Sequence, residues 1–284
     1  MFSNYKLRND FMKSKIKGKT PIKELIAKLK KREKKGQYVG SKWNKTAVLL
    51  GSREISRFIP KTKILSPVVL KSMLDEYKMV YLKPINGTYG KGVIRIEMHE
   101  DLNGITYQYQ MGTERKKFET LSSLYHSILL NKMKRKYIVQ RGIHLLKYDN
   151  RIFDLRIMVQ RNLKGVWEST GIIGRVALPN KIVTNYHSGG TPMDITTIFK
   201  PYMTELQFNK YNLILKKLGQ DIAVILSNTY PMLNMLGIDV GVDTKFYPWI
   251  IEVNTNPDLY IFKKLKDKEV FRRIYHYAKS FKRA

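Results

Sequence analysis

Pro248-Trp249-Ile250-Ile251-Glu252-Val253-Asn254-Thr255-Asn256-Pro257 is an apolar run that ends in a carboxylate and an amide two residues apart. It reads as a buried β-strand. Successive strand side chains alternate faces, so Glu252 and Asn254 point the same way. Upstream, Met235-Leu236-Gly237-Ile238-Asp239-Val240-Gly241-Val242 is a second apolar run with a single carboxylate. Pairing of the two runs would bring three oxygen donors, Asp239, Glu252 and Asn254, to one spot. Hard cations such as Mg²⁺ take that ligand set and commonly share it with substrate phosphates.

Working outward, the 284-residue chain allows one large domain or two packed lobes. It has no cysteine, which excludes disulfides, thiolate metal sites and cysteine nucleophiles. No apolar run approaches the roughly 20 residues that span a bilayer. The basic segment Met1 to Lys19 lacks the apolar core of a signal peptide, so a cytoplasmic location is expected. The formal net charge of +30 predicts attraction to polyanions. Much of it lies at the ends: fifteen Lys/Arg against three acids in 1–45, and nine against two in 261–284. Such runs also read as solvated helix faces that aid solubility. No zinc-finger spacing, RNP-like aromatic motif or basic region with heptads marks a nucleic-acid reader.

The spacing predicts a basic amphipathic helix over 22–35, a helix from near Asn44 through Leu50 and another over 68–77. Strands are expected at 79–84, 93–97, 106–111, 137–140 and 153–160, with one long strand or a pair over 166–178. Helices are expected over 120–131 and around Phe208, Tyr211, Leu215, Leu218, Ile222 and Ile225, spaced by three and four. A basic helix is expected from about residue 268. Mostly antiparallel strands with helices grouped between them predict an α+β fold, not an alternating βαβ wind.

Asn86-Gly87-Thr88-Tyr89-Gly90-Lys91-Gly92 lies between two predicted strands. Glycines let backbone N–H groups approach phosphate oxygens without Cβ clashes. The loop fits neither the Walker A pattern nor G-x-G-x-x-G, and alone it reads as a hairpin turn. Lys83 on the preceding strand, able to meet a phosphate as a point charge, favours a flap over a nucleotide. Arg156 shares a face with Asp154, which suggests an ion pair between them. Arg175 has no partner nearby in sequence; an unpaired arginine in an apolar strand is costly to bury and so is expected to face an anion in a cleft. His187 reads as an incidental loop histidine. Asp239 and Glu252 have the composition of a glycosidase acid/base pair, but a glycosidase has no use for the phosphate-friendly loop and lysines. A structural salt bridge from Glu252 to a lysine is the bland alternative.

In order along the chain, these pieces resemble the ATP-grasp superfamily. The matching segments are Asn44-Lys45, Leu82-Lys83-Pro84, the loop 86–92, Ile-Val-Gln-Arg-Gly-Ile at 138–143, Asp-Leu-Arg at 154–156 and Gly-Arg-Val-Ala at 174–177. The series closes with Asn-Tyr-His-Ser-Gly-Gly at 185–190, Gly-Ile-Asp-Val-Gly at 237–241 and Ile-Glu-Val-Asn-Thr-Asn-Pro at 251–257. It is most similar to the YheC/YheD-type proteins of spore-forming bacteria, described as endospore coat-associated, over roughly 41–275. Each motif alone is weak; the ordered series is specific.

The resemblance implies a two-lobed α+β fold that grips ATP between antiparallel sheets. By motif match, Lys45 and Lys83 would hold the α- and β-phosphates, and Gly87, Thr88, Tyr89, Gly90, Lys91 and Gly92 would close over the triphosphate. Gln140, Arg141, Gly142 and Ile143 would form the hinge strand against adenine. Asp239, Glu252 and Asn254 would hold one or two Mg²⁺ ions, with Mn²⁺ an alternative. Arg175, Arg156 and Asn185 would face the γ-phosphate or the reacting carboxylate.

The implied organisation is a basic helical extension over 1–40, a helical part of the module over 41–78, a small lobe with flap and hinge over 79–143, and a C-terminal lobe over 144–284. A basic stretch of about 40 residues precedes the Asn-Lys motif and is expected to be too short for the Rossmann-like pre-domain of many relatives. Gln140 stands where many relatives carry Glu. The implied activity is an ADP-forming carboxylate–amine (or thiol) ligase acting through an acylphosphate. Its acid and amine substrates are unidentified; the basic surface suits an acidic peptide or a spore-coat protein. A kinase, or a non-catalytic ATP-binding structural protein of the spore coat, are the competing readings.

Overall fold

The computed structural model describes residues 38–87, 89–102 and 104–280, together with 22–24 and 26. Most of the expected 1–40 extension, including most of its 22–35 helix, and Thr88 lie outside the described residues.

Two antiparallel sheets meet across a cleft, each built from strands whose apolar sides pack on helices. Ser41 caps α1 (Lys42–Leu50) by accepting the Asn44 N–H at 3.2 Å. A short α2 (Arg53–Ser56) and strand β1 (Thr62–Ile64) follow. Helix α3 (Pro67–Tyr77) starts with Ser66 as cap and Pro67 in the first turn, and stops at Lys78 in the left-handed conformation. Then come β2 (Met79–Pro84), β3 (Ile94–Asp101), β4 (Gly104–Met111), β5 (Glu114–Phe118), α4 (Leu121–Asn131) and β6 (Tyr137–Arg141). The order β1-β6-β2-β3-β4-β5 makes the first sheet. Leu70, Met73 and Leu74 of α3 and Leu124 and Ile128 of α4, spaced as one helix face, cover Val80, Leu82, Ile94 and Ile96.

The second sheet holds β8 (Arg151–Arg161), β9 (Trp167–Val176), β10 (Thr191–Met193), β11 (Met235–Val242) and β12 (Pro248–Asn254), in the order β10-β9-β8-β11-β12. A two-residue β7 (Lys147–Tyr148) pairs with the start of β8. Beyond β10, α5 (Ile195–Phe199) leads into α6 (Glu205–Thr229), whose Thr204–Gln207 capping box closes both ends of its first turn. Phe208, Tyr211, Leu215, Leu218 and Ile222 pack α6 on Leu155, Ile157 and Val159. Gly219 permits the close approach: a Cβ there would sit 2.9 Å from Val159 Cγ2. The other face, with Met158 and Ile173, is covered by Phe262, Leu265 and Ile274, the last from α7 (Lys268–Ser280).

The α+β expectation holds. The 166–178 run is one strand, and the two opening runs pair directly, Asp239 opposite Glu252 and Gly237 opposite Asn254. The short strands β1, β5 and β10 were not individually expected: three residues carry no periodicity, and Glu114-Arg115-Lys116-Lys117-Phe118 is polar on both sides. Among the described residues no helix is long and apolar enough to cross a membrane.

Candidate active site

Strand β12 supplies the floor, and a bulge sets its side chains. The register steps from Asp239–Glu252 to Val240–Ile250, leaving Ile251 unpaired. Ile250 and Val253 therefore enter the core, while Ile251, Glu252 and Asn254 line the cleft. From the first sheet, Lys83 of β2 and Gln140 of β6 face them. From α1, Lys42 and Lys45 lie one turn apart on one helix face and reach the same floor.

The cleft has two connected parts that share Gly90, Arg175, Asn185, Asp239 and Glu252. The inner chamber is lined by Tyr81, Val93, Ile143, Leu145, Ile152, Ile182 and Ile251, a largely apolar wall with a few polar groups among it. The outer chamber is polar and aromatic, with Tyr38, Tyr89, Tyr186, His187, Asn256, Asp258 and Tyr260.

At the seam, charges are arranged as cross-strand pairs. Arg175 Nε and Nη2 donate to the two oxygens of Asp154 at 2.8 and 2.6 Å, and Nη2 also lies 3.1 Å from Asp239 Oδ2. Arg156 grips Asp239 with Nε on Oδ1 and with Nη2 3.1 Å from Oδ2. This corrects two expectations. Arg156 does not pair with Asp154, and Arg175 is not partnerless. Asp154 is opposite Arg175 and Asp239 opposite Arg156 in the strand register, so each arginine finds its carboxylate across the sheet, not along the chain. Burial opposes charge on both Arg175 and Asp239, but their ion pairs outweigh it: the guanidinium is raised and the Asp239 carboxyl falls below the ordinary carboxylate range. Asn254 Nδ2 adds a 3.3 Å contact to Asp239 Oδ2.

The lysines are held differently. Lys83 Nζ donates to Gln140 Oε1 at 2.5 Å, while Gln140 Nε2 donates to Thr62 Oγ1 at 3.1 Å. Lys45 Nζ donates to the Val39 carbonyl at 2.9 Å. Burial lowers both ammoniums to about 8, and the neutral Gln140 gives Lys83 an acceptor without a counter-charge. Lys42 Nζ bridges Glu252 Oε1 at 2.8 Å and the Gly87 carbonyl at 2.7 Å. Six cations (Lys42, Lys45, Lys83, Arg141, Arg156, Arg175) thus line the cleft with four carboxylates (Asp154, Asp239, Glu252, Asp258), an excess of two positive charges that suits a polyanion.

The flap folds against the second sheet's loop. Ser188 Oγ donates to the Tyr89 carbonyl at 2.7 Å, and the Tyr89 and His187 rings lie 4.4 Å apart. Asn185 Oδ1 accepts the His187 N–H at 2.9 Å, which fixes the loop that carries both. Gly90 and Gly92 have φ of 71° and 74°, and a Cβ on Gly92 would meet Tyr137 Oη at 2.9 Å. Of the expected flap residues, Gly87, Tyr89 and Gly90 line the cleft. Lys91 is exposed, and Gly92 serves the turn. Gln140, Arg141 and Ile143 line the inner chamber, with Arg141 stacked between Tyr77 and Trp249 at 5.1 and 5.3 Å. Gly142 packs on Met79 and does not line the chamber. Lys42 and Asp154 were not singled out as site residues. The Lys42–Lys45 spacing on one helix was the available signal for the first; only strand register reveals the second.

The oxygen donors suit a hard cation by type. Glu252 keeps Oε2 without a partner among the described residues, and the Asn254 amide supplies a further oxygen. Asp239 is already engaged by two arginines and Asn254, so it takes part only if one of them yields. Among the described residues no three Asp, Glu, His or Cys side chains gather as a metal cluster.

Comparison with known proteins identifies the family. The family model described as YheC/D-like ATP-grasp matches residues 34–281. The endospore coat-associated protein YheD of Bacillus subtilis (strain 168) is 23% identical over 252 residues, 84% of this chain and 53% of that protein. YheC of the same organism is 24% identical over 240 residues, 84% of this chain and 65% of its own length. The chain thus spans about half to two-thirds of these relatives. A crystal structure of the ADP complex of PurK, N5-carboxyaminoimidazole ribonucleotide synthetase, superposes with a TM-score of 0.48 at 12% identity, covering 84% of this chain and 51% of that one. With a family model matched over most of its length, the chain belongs to the YheC/D-like ATP-grasp family.

Proposed function

We propose that the protein is an ATP- and Mg²⁺-dependent carboxylate–amine (or thiol) ligase that works through an acylphosphate. The observation that carries the reading is the seam, where two buried lysines, two arginines and the β12 oxygen donors meet between an apolar chamber and an open polar one.

In this reading the inner chamber takes the base, with Val93, Ile143 and Ile251 packing its faces. Lys45 and Lys83 hold phosphates, and the flap at Tyr89 excludes water. Glu252 and Asn254 would hold a divalent cation, with Asp239 as a further ligand if an arginine turned to phosphate. When bound, such a cation would supply screening of the phosphate charge. The acid enters from the outer chamber. Its carboxylate oxygen attacks the γ-phosphorus, the bond to the β–γ bridging oxygen breaks, and ADP leaves. The amine then adds to the acyl carbon, phosphate departs and the amine loses a proton. Arg175 is placed to steady both the transferring phosphoryl group and the acyl oxyanion, since Asp154 fixes it from behind. Support comes from the family, the excess positive charge and the open second chamber.

Incubation of the purified protein with Mg-ATP and a panel of carboxylic acids and acidic peptides tests the reading. ADP release that depends on an acid, with an amide-bonded product by mass, is expected. Tight ATP binding with no acid-dependent ADP would sink it, and a stable phosphorylated product would make it a kinase.

A further inference from the structure

The aromatic lining of the outer chamber continues onto the surface. Tyr260, which lines the chamber, is 57% exposed. Its ring centroid lies 6.1 Å from that of Phe271, which lies 5.8 Å from that of Tyr275. The three rings make a row from the chamber mouth along α7. Lys263 Nζ rests over two of them, 5.1 Å from the Tyr260 centroid and 5.2 Å from that of Phe271. Lys264, Lys266 and Lys279 nearby are exposed, and none of these four lysines has an ion-pair partner among the described residues. The acids of the same stretch are occupied: Asp258 faces His187 at 3.4 Å, Glu269 pairs with Arg272, and Asp267 accepts the Glu269 N–H.

We propose that this strip is the docking surface for an acidic polypeptide, one of whose carboxylates is delivered into the outer chamber. The delivery rests on the ligase reading; the docking does not. Free ammoniums beside an apolar strip match a chain of Glu and Asp, whose carboxylates meet the lysines while their methylenes lie on the ring edges. Nucleic acid fits less well. Single strands stack bases on open ring faces, whereas Lys263 already sits over Tyr260 and Phe271 and the rings cover one another at 38° and 32°. The continuity of Tyr260 with the chamber separates this strip from the other basic faces of the protein.

The test uses the full chain and a fluorescein-labelled oligoglutamate peptide, read by anisotropy at physiological salt. Lys263→Glu/Lys264→Glu/Lys266→Glu is compared with a control of equal charge change on the α5–α6 side, Lys200→Glu/Lys210→Glu/Lys216→Glu. The strip variant is expected to bind on the order of tenfold more weakly, as three lost surface pairs imply, while the control stays near wild type. Tyr275→Ala should also weaken binding without changing net charge. Equal losses in strip and control variants would mean diffuse attraction to a +30 protein and would overturn the proposal. So would no peptide binding, or a single-stranded RNA of equal charge that displaces the peptide and shows the same strip dependence at higher affinity. Mg-ATP binding and acid-dependent ADP release are measured separately. Peptide docking without turnover counts against the ligase and leaves the surface standing; turnover of small acids without peptide docking does the reverse.

Discussion

Lys42 ties the flap to the floor of the cleft: its ammonium sits 2.8 Å from Glu252 Oε1 and 2.7 Å from the Gly87 carbonyl. Lys42→Met should therefore loosen the flap before it harms the fold. Hydrogen–deuterium exchange across 85–93 should speed up on the order of tenfold, as loss of a charge-assisted hydrogen bond implies. Exchange in α6 should be unchanged. Identical flap protection in both proteins would show that Ser188 and Tyr89 hold the flap alone.

Asp154 braces Arg175 through two hydrogen bonds in the interior. Asp154→Ala should cost about 3 kcal/mol in urea unfolding, the low end for breaking a buried pair, because Asp239 still holds the guanidinium. Adding Arg175→Met should recover part of that loss, since no uncompensated charge then remains. A single-variant loss below about 0.5 kcal/mol would mean the pair is not buried in solution.

Lys45 and Lys83 titrate near 8 in the folded protein and near 10.5 when unfolded. Below 8 both states are protonated and the cost of burying two ammoniums is fully present. Between about 8 and 10.5 the unfolded chain holds protons that the folded one has lost, so their contribution makes stability rise with pH. Bound phosphates push the other way by favouring the charged forms. ATP binding near pH 8 should take up protons, seen by calorimetry in two buffers of different protonation enthalpy, and affinity should fall above that pH. Lys83→Met should reduce the uptake; an uptake unchanged by it would rule Lys83 out as a phosphate ligand.

Gln140 accepts from Lys83 without neutralising it. Gln140→Glu should raise the Lys83 pKa and spend its charge inside the protein. ATP affinity should drop several-fold at pH 7, and the proton uptake on binding should shrink. Thermal stability should hold or rise, because the buried ammonium gains a counter-ion. Tighter ATP binding in this variant would show that position 140 contacts the nucleotide and does not act through Lys83.

Periodic features were legible in the sequence. The long helix was readable from Phe208 to Ile225, and the shared face of Glu252 and Asn254 from strand alternation alone. The apolar runs announced their strands, and the ordered motifs announced the family. What stayed hidden was partnership between distant strands. Arg156 and Asp239 lie 83 residues apart, and Arg175 and Asp154 lie 21 apart, so no local pattern joins them. Lys42 was passed over because one lysine in a basic segment looks like any other until its helix face is known. The short strands carried too few residues to show a period.

The unpaired Ile251 has a consequence for how this protein tolerates change in length. Without that extra residue, strict alternation from Val253 would turn Ile251 into the core and Ile250 into the cleft. With it, the apolar wall of one chamber and the carboxylate of the seam come from consecutive residues on the same side. Deleting one residue between Trp249 and Glu252 would therefore not shorten the strand harmlessly. It would remove the bulge: Glu252 could stay opposite Asp239 and Pro248 opposite Val242, but one apolar residue would stand where two did, and either the core contact of Ile250 or the chamber wall of Ile251 would be lost. The count of residues in β12 is constrained as tightly as their identity, and loops, not this strand, are where insertions and deletions can be absorbed.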